Sequence, residues 1–227
     1  MPDTTSILST IDHAVLAPDA TRDDVLRGCE LAARLGVASV CVQPRWAPTA
    51  VATLADSSVA VGTVAGFPLG ATTTEAKTLE AMQAFDSGAT EVDMVMAVTA
   101  LKSGDYDDTL VDMAMVVQVA QESGVPGAKV KAILEMCYLT EEEKRVAAEL
   151  AVRAGVDFVK TSTGMGPGGA TVEDVALLRE IAPEGIGVKA AGGIRDLETM
   201  REMLNAGASR IGASATEVIA AELGIGD

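Results

Sequence analysis

Arg153-Ala154-Gly155-Val156-Asp157-Phe158-Val159-Lys160-Thr161 is the stretch on which the fold turns. A helical face ends, a glycine follows, and a short β-rich apolar run begins. Glycine just past a helix end takes the left-handed conformation that caps it. The same phrase recurs as Ala33-Arg34-Leu35-Gly36 before Val37–Val42, as Asp86-Ser87-Gly88 before Thr90–Met96, and as Asn205-Ala206-Gly207 before Ser209–Ala213. Strand-like runs also stand at Val59–Ala65, Lys129–Glu135 and Gly185–Ala191. None of these runs reads as polar/apolar alternation, so they are expected to be buried on both faces, as in a parallel sheet covered by helices.

The intervening segments Asp23–Leu35, Glu75–Ser87, Glu141–Ala154 and Glu173–Ile181 carry an apolar stripe at helical spacing. Thr72-x-x-Glu75 and Thr140-x-x-Glu143 have the capping-box pattern, and Thr171-x-x-Asp174 is a relative of it. Strands alternating with helices are βα units, and right-handed crossovers leave two solutions, an open doubly wound sheet or a closed eight-stranded barrel. The units run evenly and no polar linker divides them. The expected fold is therefore α/β, a TIM (β/α)8 barrel, as one domain over residues 1–227. The barrel needs an eighth strand, and Ser6–Asp12 is the segment that offers one. No GxGxxG follows the first clear strand, Cys41-Val42-Gln43-Pro44-Arg45, which counts against a dinucleotide fold.

Composition narrows the function. The chain has 227 residues, is 48% hydrophobic and carries a net charge of −16. That suffices for one packed core and argues against nucleic acid and anionic membrane surfaces as partners. No apolar run approaches the roughly 18 residues of a spanning helix, and Met1–Thr10 lacks the basic start and apolar block of a secretory signal. One histidine, His13, excludes a metal site built from several histidines, and it reads as packed or hydrogen-bonded. Cys29, Cys41 and Cys137 are far apart without a CxxC, so free thiols in a reducing cytoplasm are expected. No metal and no cofactor is expected.

The chain has seven lysines. Lys77, Lys102, Lys129 and Lys144 read as solvated positions on loops, strand edges or helix faces. Lys131, Lys160 and Lys189 stand inside strand runs, where an ammonium group needs a partner. One such lysine is ordinarily a structural ion pair. Three on strands facing a common centre point to chemistry. A barrel carries its reacting groups at the C-terminal strand ends, and Lys160 and Lys189 both stand there, on adjacent strands. Neighbouring charge and desolvation both lower a lysine's pKa, and the free amine attacks carbonyl carbon. Asp93 interrupts an otherwise apolar strand and suits pairing or proton transfer. Asp12 is either a partner to these lysines or a turn cap.

Glycine-rich turns follow the late strands: Gly164-Met165-Gly166-Pro167-Gly168-Gly169, Gly192-Gly193-Ile194-Arg195 and Gly212-Ala213-Ser214. Barrels often hold phosphate in the turns after their seventh and eighth strands, where a side chain would block the backbone's approach. Arg195 adds a charge there or pairs on the surface.

Val159-Lys160-Thr161-Ser162-Thr163-Gly164 together with Val188-Lys189-Ala190-Ala191-Gly192-Gly193-Ile194-Arg195 strongly resembles the 2-deoxyribose-5-phosphate aldolase family, and Ile11-Asp12-His13, Glu91-Val92-Asp93 and Arg210-Ile211-Gly212-Ala213-Ser214 fit the same pattern. The resemblance covers nearly the whole chain in one order. It implies a TIM barrel and metal-free, reversible cleavage of 2-deoxy-D-ribose 5-phosphate to acetaldehyde and D-glyceraldehyde 3-phosphate. It also implies a phosphorylated sugar as partner and a dimer or tetramer of identical chains. By resemblance Lys160 is the Schiff-base lysine, Lys189 perturbs its pKa and Asp93 relays protons. Asp12 orients Lys189, Cys41 lines the substrate site, and Lys131 joins the polar network. Thr161, Gly164, Gly192, Gly193, Ile194, Arg195, Gly212 and Ser214 complete the substrate and phosphate contacts. The chain departs from some relatives at Ala14, at Met165, at Met136-Cys137 and at its last residues, which lack a tyrosine. Two alternatives stand beside this reading: another lysine-dependent aldolase of sugar phosphates, and a barrel that binds phosphorylated ligands without catalysis.

Overall fold

The computed structural model describes residues 7–225. Eight strands, β1 (Ile11–Val15), β2 (Ser39–Val42), β3 (Ala60–Ala65), β4 (Glu91–Val95), β5 (Lys129–Ile133), β6 (Phe158–Lys160), β7 (Gly187–Ala191) and β8 (Arg210–Ala213), pair in chain order and close into a barrel. Every pairing is parallel. Closure is made where Asp12 of β1 meets Gly212 of β8. It removes the two unpaired edges that an open sheet would expose. The helices are α1 (Arg22–Leu35), α2 (Ala47–Thr53), α3 (Thr74–Asp86), α4 (Val98–Lys102), α5 (Tyr106–Glu122), α6 (Glu141–Ala154), α7 (Val172–Ile181), α8 (Leu197–Asn205) and α9 (Thr216–Glu222). The expected TIM barrel is the observed fold.

Three expectations about the elements are corrected. The eighth strand is β1, which begins only at Ile11 and runs on to Val15. Ile7 and Leu8 are helical, and Ser6 lies outside the described residues. Helix α3 is capped by Thr73, whose hydroxyl accepts from the Ala76 N–H, rather than by Thr72. Thr140 makes the full capping box of α6, and Thr171 caps α7 through the Asp174 N–H. A further box, Thr21 with Asp24, starts α1.

The third correction concerns the strands themselves. They do alternate, but with their polar side turned into the barrel. Val92, Met94, Val130, Ala132, Val159, Val188, Ala190 and Ile211 join the main apolar core with the helices. Their neighbours Asp12, Glu91, Asp93, Lys131, Lys160, Lys189 and Arg210 bond to one another inside the barrel. Because both faces are buried, the pattern alternates between apolar and charged rather than between buried and exposed.

Lys77 is a second kind of surprise. It is not solvated: its ammonium is fully buried and bonds Asp112 at 2.6 Å, tying α3 to α5. Lys144 is mostly covered too and bonds Asp174 at 2.7 Å. Met94, Met96 and Met113 are core, as expected, whereas Met115 is exposed. Trp46 lies half-buried against the core, just after β2.

His13 is buried beside α9, its Nδ1 2.9 Å from the Thr216 hydroxyl. Burial pulls its pKa from 6.5 down to about 4. The folded form therefore binds a proton less readily than the unfolded chain. Its contribution to stability is intact above pH 6.5 and is lost as the pH falls from there toward 4. The loss should approach about 3 kcal/mol, since each tenfold weakening of proton binding is worth roughly 1.4 kcal/mol. Urea unfolding at pH 7 and pH 4.5 checks this: His13→Gln should show a clearly shallower decline between the two pH values than the parent chain.

Candidate active site

The C-terminal ends of the strands open into a cavity of about 540 Å³. Lys160 closes β6 and Lys189 lies opposite it in register on β7. Both line the cavity floor with Asp12 and Cys41. The turns after β6, β7 and β8 supply its wall through Gly164, Gly192, Gly193, Ile194, Arg195 and Ser214, and Gly212 adds to it from within β8. Among the residues singled out from the sequence, three do not reach the cavity. Asp93 and Lys131 are fully buried beneath it. Thr161 is also buried, and its hydroxyl is spent on the neighbouring strand, donating to the Ala191 carbonyl at 3.2 Å and accepting from the Ala191 N–H at 3.1 Å. It stitches β6 to β7 rather than facing a ligand.

The floor is an ion network. Lys160 and Lys189 meet on a single oxygen, Asp93 Oδ2, at 2.7 and 2.6 Å. Lys189 also forms an ion pair with Asp12 Oδ2 at 2.5 Å. Lys131 reaches Glu91 at 2.5 Å, Asp93 at 2.9 Å and Asp12 at 3.3 Å. Below them Arg210 bonds Asp12 Oδ1 at 2.5 Å and Glu91 at 3.3 Å, with its guanidinium 5.1 Å from the centre of the Phe158 ring. Ser39 completes Asp12 with a 2.6 Å hydrogen bond. Sequence reasoning gives Glu91 and Arg210 no role of their own. A signal was available for the first: Glu91 lies two residues before Asp93, and two residues along a strand share a face.

These partners set the proton affinities. Burial, the largest influence, lowers the Lys160 pKa. Asp93 opposes that, Lys189 adds to it, and the net direction is down. That order refines the expectation from sequence, in which the neighbouring cation came first. For Lys189 burial also acts downward, but Asp12 and Asp93 outweigh it and the pKa rises. Lys131 rises well above its ordinary value, because Asp12, Asp93 and Glu91 overcome its burial. Burial pushes the carboxyls of Asp12 and Asp93 up, yet the surrounding cations bring both far below the usual range. Burial raises the Cys41 thiol to about 11, with the Asp93 charge adding to it.

Gly212 explains how Lys189 fits. A Cβ on Gly212 would stand 3.2 Å from Lys189 Cε and 2.9 Å from Ala191 Cβ. Gly192 has φ +90°, and a Cβ there would press within 3.0 Å of Gly169 Cα. The late turns can pack this closely only with glycine. The chemistry open to such a site is that of a desolvated amine beside a charged ammonium, facing a cavity with one arginine on its glycine wall.

Comparison with known proteins places the chain in a family. Residues 6–224 match the family described as DeoC/LacD family aldolase. The deoxyribose-phosphate aldolase of Thermococcus gammatolerans is 53% identical over 210 residues, covering 92% of each chain. That of Caldanaerobacter subterraneus subsp. tengcongensis is 51% identical over 210 residues, covering 92% of this chain and 90% of its own. The deoxyribose phosphate aldolase of Aeropyrum pernix, described as a unique tetrameric structure, superposes with a TM-score of 0.91 at 31% identity, covering 99% of this chain and 93% of that one. This chain belongs to the DeoC/LacD aldolase family and is an enzyme, a lyase.

Proposed function

We propose that the protein reversibly cleaves 2-deoxy-D-ribose 5-phosphate to acetaldehyde and D-glyceraldehyde 3-phosphate through a Schiff base on Lys160. The carrying observation is that Lys160, alone of the floor cations, has its pKa lowered while it lines the cavity at the end of β6, paired with Asp93. An ordinary lysine, with a pKa of about 10.4, is neutral in about 1 molecule in 2,500 at pH 7, and each tenfold weakening of its proton binding gives about tenfold more free amine.

In this reading the Lys160 amine attacks C1 of the open-chain sugar. The carbinolamine loses its hydroxyl as water and becomes an iminium. As the C3 hydroxyl gives up its proton, the C2–C3 bond breaks and its electron pair moves into the iminium. Glyceraldehyde 3-phosphate leaves, and an enamine of acetaldehyde remains. Protonation at C2 and hydrolysis release acetaldehyde and restore the amine. Asp93, held ionised by three lysines, orients both amines on one oxygen. Lys189 stays charged, held by Asp12, and is the nearest ammonium able to supply a proton. Lys131 fixes Asp12 and Asp93 from below. The phosphate is assigned to the glycine turns at Gly164, Gly192, Gly193, Ile194, Gly212 and Ser214, with Arg195 beside them. Holding the reacting bond in register can contribute several kcal/mol.

The other lysine-aldolase reading is separated from this one by cleaving other sugar phosphates in parallel, and a purely binding barrel by reductive trapping. Borohydride with acetaldehyde should place a two-carbon adduct on Lys160 in a peptide map, and Lys160→Leu should abolish turnover with the fold intact by circular dichroism. Wild-type-like activity of that variant would remove the Schiff base from the account.

Lys189→Leu tests the pKa argument. Removing that cation takes away the charge that opposes protonation of Lys160, while Asp93 still favours it, and so raises the Lys160 pKa. The acid limb of the kcat/KM profile should move to higher pH, with at least a tenfold loss at pH 7 and partial recovery at pH 9. An equal loss at every pH would contradict it.

We also propose that copies of this chain associate. Leu79, Met82 and Val111 are about half exposed on the facing sides of α3 and α5 and share one groove. They form an apolar strip in a groove that Glu75 and Asp108 border, on a chain of net charge −16, and a second copy is the occupant we assign to it. Sedimentation should show an oligomer, and Leu79→Lys with Met82→Lys should lower its mass to that of one chain. The free thiols at Cys29, Cys41 and Cys137 fit a reducing compartment, and among the described residues no helix is long and apolar enough to cross a membrane.

A further inference from the structure

Glu135 follows β5 in a conformation that few side chains accept. Its φ is +50° and ψ +59°, and among the described residues it is the one non-glycine with positive φ. Such backbone is strained and persists where surrounding contacts over-determine it. The carboxylate is 3% exposed. It does not join the ion network on the floor. Instead it turns toward β6 and accepts from both the Thr163 N–H, at 3.2 Å, and the Thr163 hydroxyl. The Thr163 hydroxyl in turn accepts from the Met165 N–H at 3.0 Å.

The turn after β6 is held on two sides by these contacts. On one side it lies against Glu135 and the residues after it. A Cβ on Gly168 would come 2.9 Å from Cys137 Cβ, and one on Gly166 would come 3.4 Å from Glu135 Cδ. On the other side it lies against Gly192, whose carbonyl accepts from the Ala170 N–H at 3.0 Å. Thr163, Gly164 and Met165 on the first side, and Gly192 on the second, line the cavity. Position 165 is a methionine, so this turn offers an anion its backbone N–H groups and no charge of its own.

We infer that Glu135 is a positioning residue for recognition of the substrate's phosphate: through Thr163 it fixes the β6 turn against Gly192. This rests on the proposed sugar-phosphate cleavage. It assigns Glu135 to the phosphate end of the cavity and not to the amine chemistry. Its removal should therefore separate substrates that carry a phosphate from those that do not.

The experiment compares Glu135→Gln and Thr163→Val, alone and together, on 2-deoxyribose 5-phosphate and on unphosphorylated 2-deoxyribose, with acetaldehyde trapping on Lys160 as a control. Glu135→Gln keeps the size of the side chain but loses the charge that binds Thr163. KM for the phosphorylated sugar should rise about tenfold with kcat within about twofold, and inhibition by inorganic phosphate should weaken in proportion. For Glu135→Gln, cleavage of the unphosphorylated sugar and trapping should fall far less than cleavage of the phosphorylated sugar. The double variant should be no worse than Thr163→Val alone, since both act through one contact. Equal losses on both sugars, additive effects or an unchanged KM would overturn the assignment. Failure of trapping in the parent chain would instead overturn the Schiff-base reading, so the two failures are distinct.

Discussion

The structure depends on a charge balance inside the barrel. Three carboxylates, Asp12, Glu91 and Asp93, face four cations, Lys131, Lys160, Lys189 and Arg210. Removing an ion from water costs several kcal/mol even after relaxation, and only a partner in good geometry offsets it. Lys131, Lys189 and Arg210 each bond at least two carboxylates. Together those three cations neutralise the three anions. Lys160 has one bond, to an oxygen it shares with Lys189, and is the cation in excess. The group that most readily gives up its proton is thus fixed by arithmetic before any substrate enters.

The barrel makes this arrangement possible. A closed parallel sheet can bury one face against helices and keep the other for a polar cluster, because each strand alternates the two. Its backbone groups are already paired, so the side chains inside need only satisfy one another. Lys189 and Arg210 lie in register on β7 and β8, and Asp93 and Lys131 on β4 and β5. Neighbouring strands therefore deliver opposite and like charges at fixed spacing. The outer shell sets the rigidity: Val92, Val130, Val159, Val188 and Ile211 are all fully buried in the core that clamps these strands.

Much of this is legible in the sequence because burial makes charged residues conspicuous. Lys131, Lys160 and Lys189 stand out in apolar runs, and the glycines after Lys160 and Lys189 mark the turns that wall the cavity. What stays hidden are relations across the chain. Glu91 and Arg210 lie at strand ends, where polar residues are ordinary, and only closure of the barrel brings β4 and β8 to face each other so that they meet. Lys77 sits on a helix at a spacing that fits a solvated face. Its burial is set by Asp112, 35 positions away. The start of β1 is hard to place for a related reason: Asp12 looks like a break in a strand until the interior of the barrel is seen to be charged. Thr161 illustrates the converse. Its place beside Lys160 points to the cavity, but its hydroxyl serves the pairing of β6 with β7.

One environment also decides which nucleophile the site offers. Cys41 and Lys160 are both buried at the floor, close to the same Asp93 charge. Desolvation disfavours whichever form of a group is ionised. For a thiol the ionised form is the nucleophile, so burial raises the Cys41 pKa to about 11 and leaves it a protonated wall at neutral pH. For an amine the neutral form is the nucleophile, and burial lowers the Lys160 pKa. In the proposed reaction the same desolvation therefore silences sulfur and favours the free amine. Asp93 deepens the first effect and restrains the second, and the cation Lys189 tips Lys160 back toward the free amine. A floor built only of carboxylates would raise both pKa values; Lys189 acts downward on both, and burial, the largest influence on each, is what drives them apart.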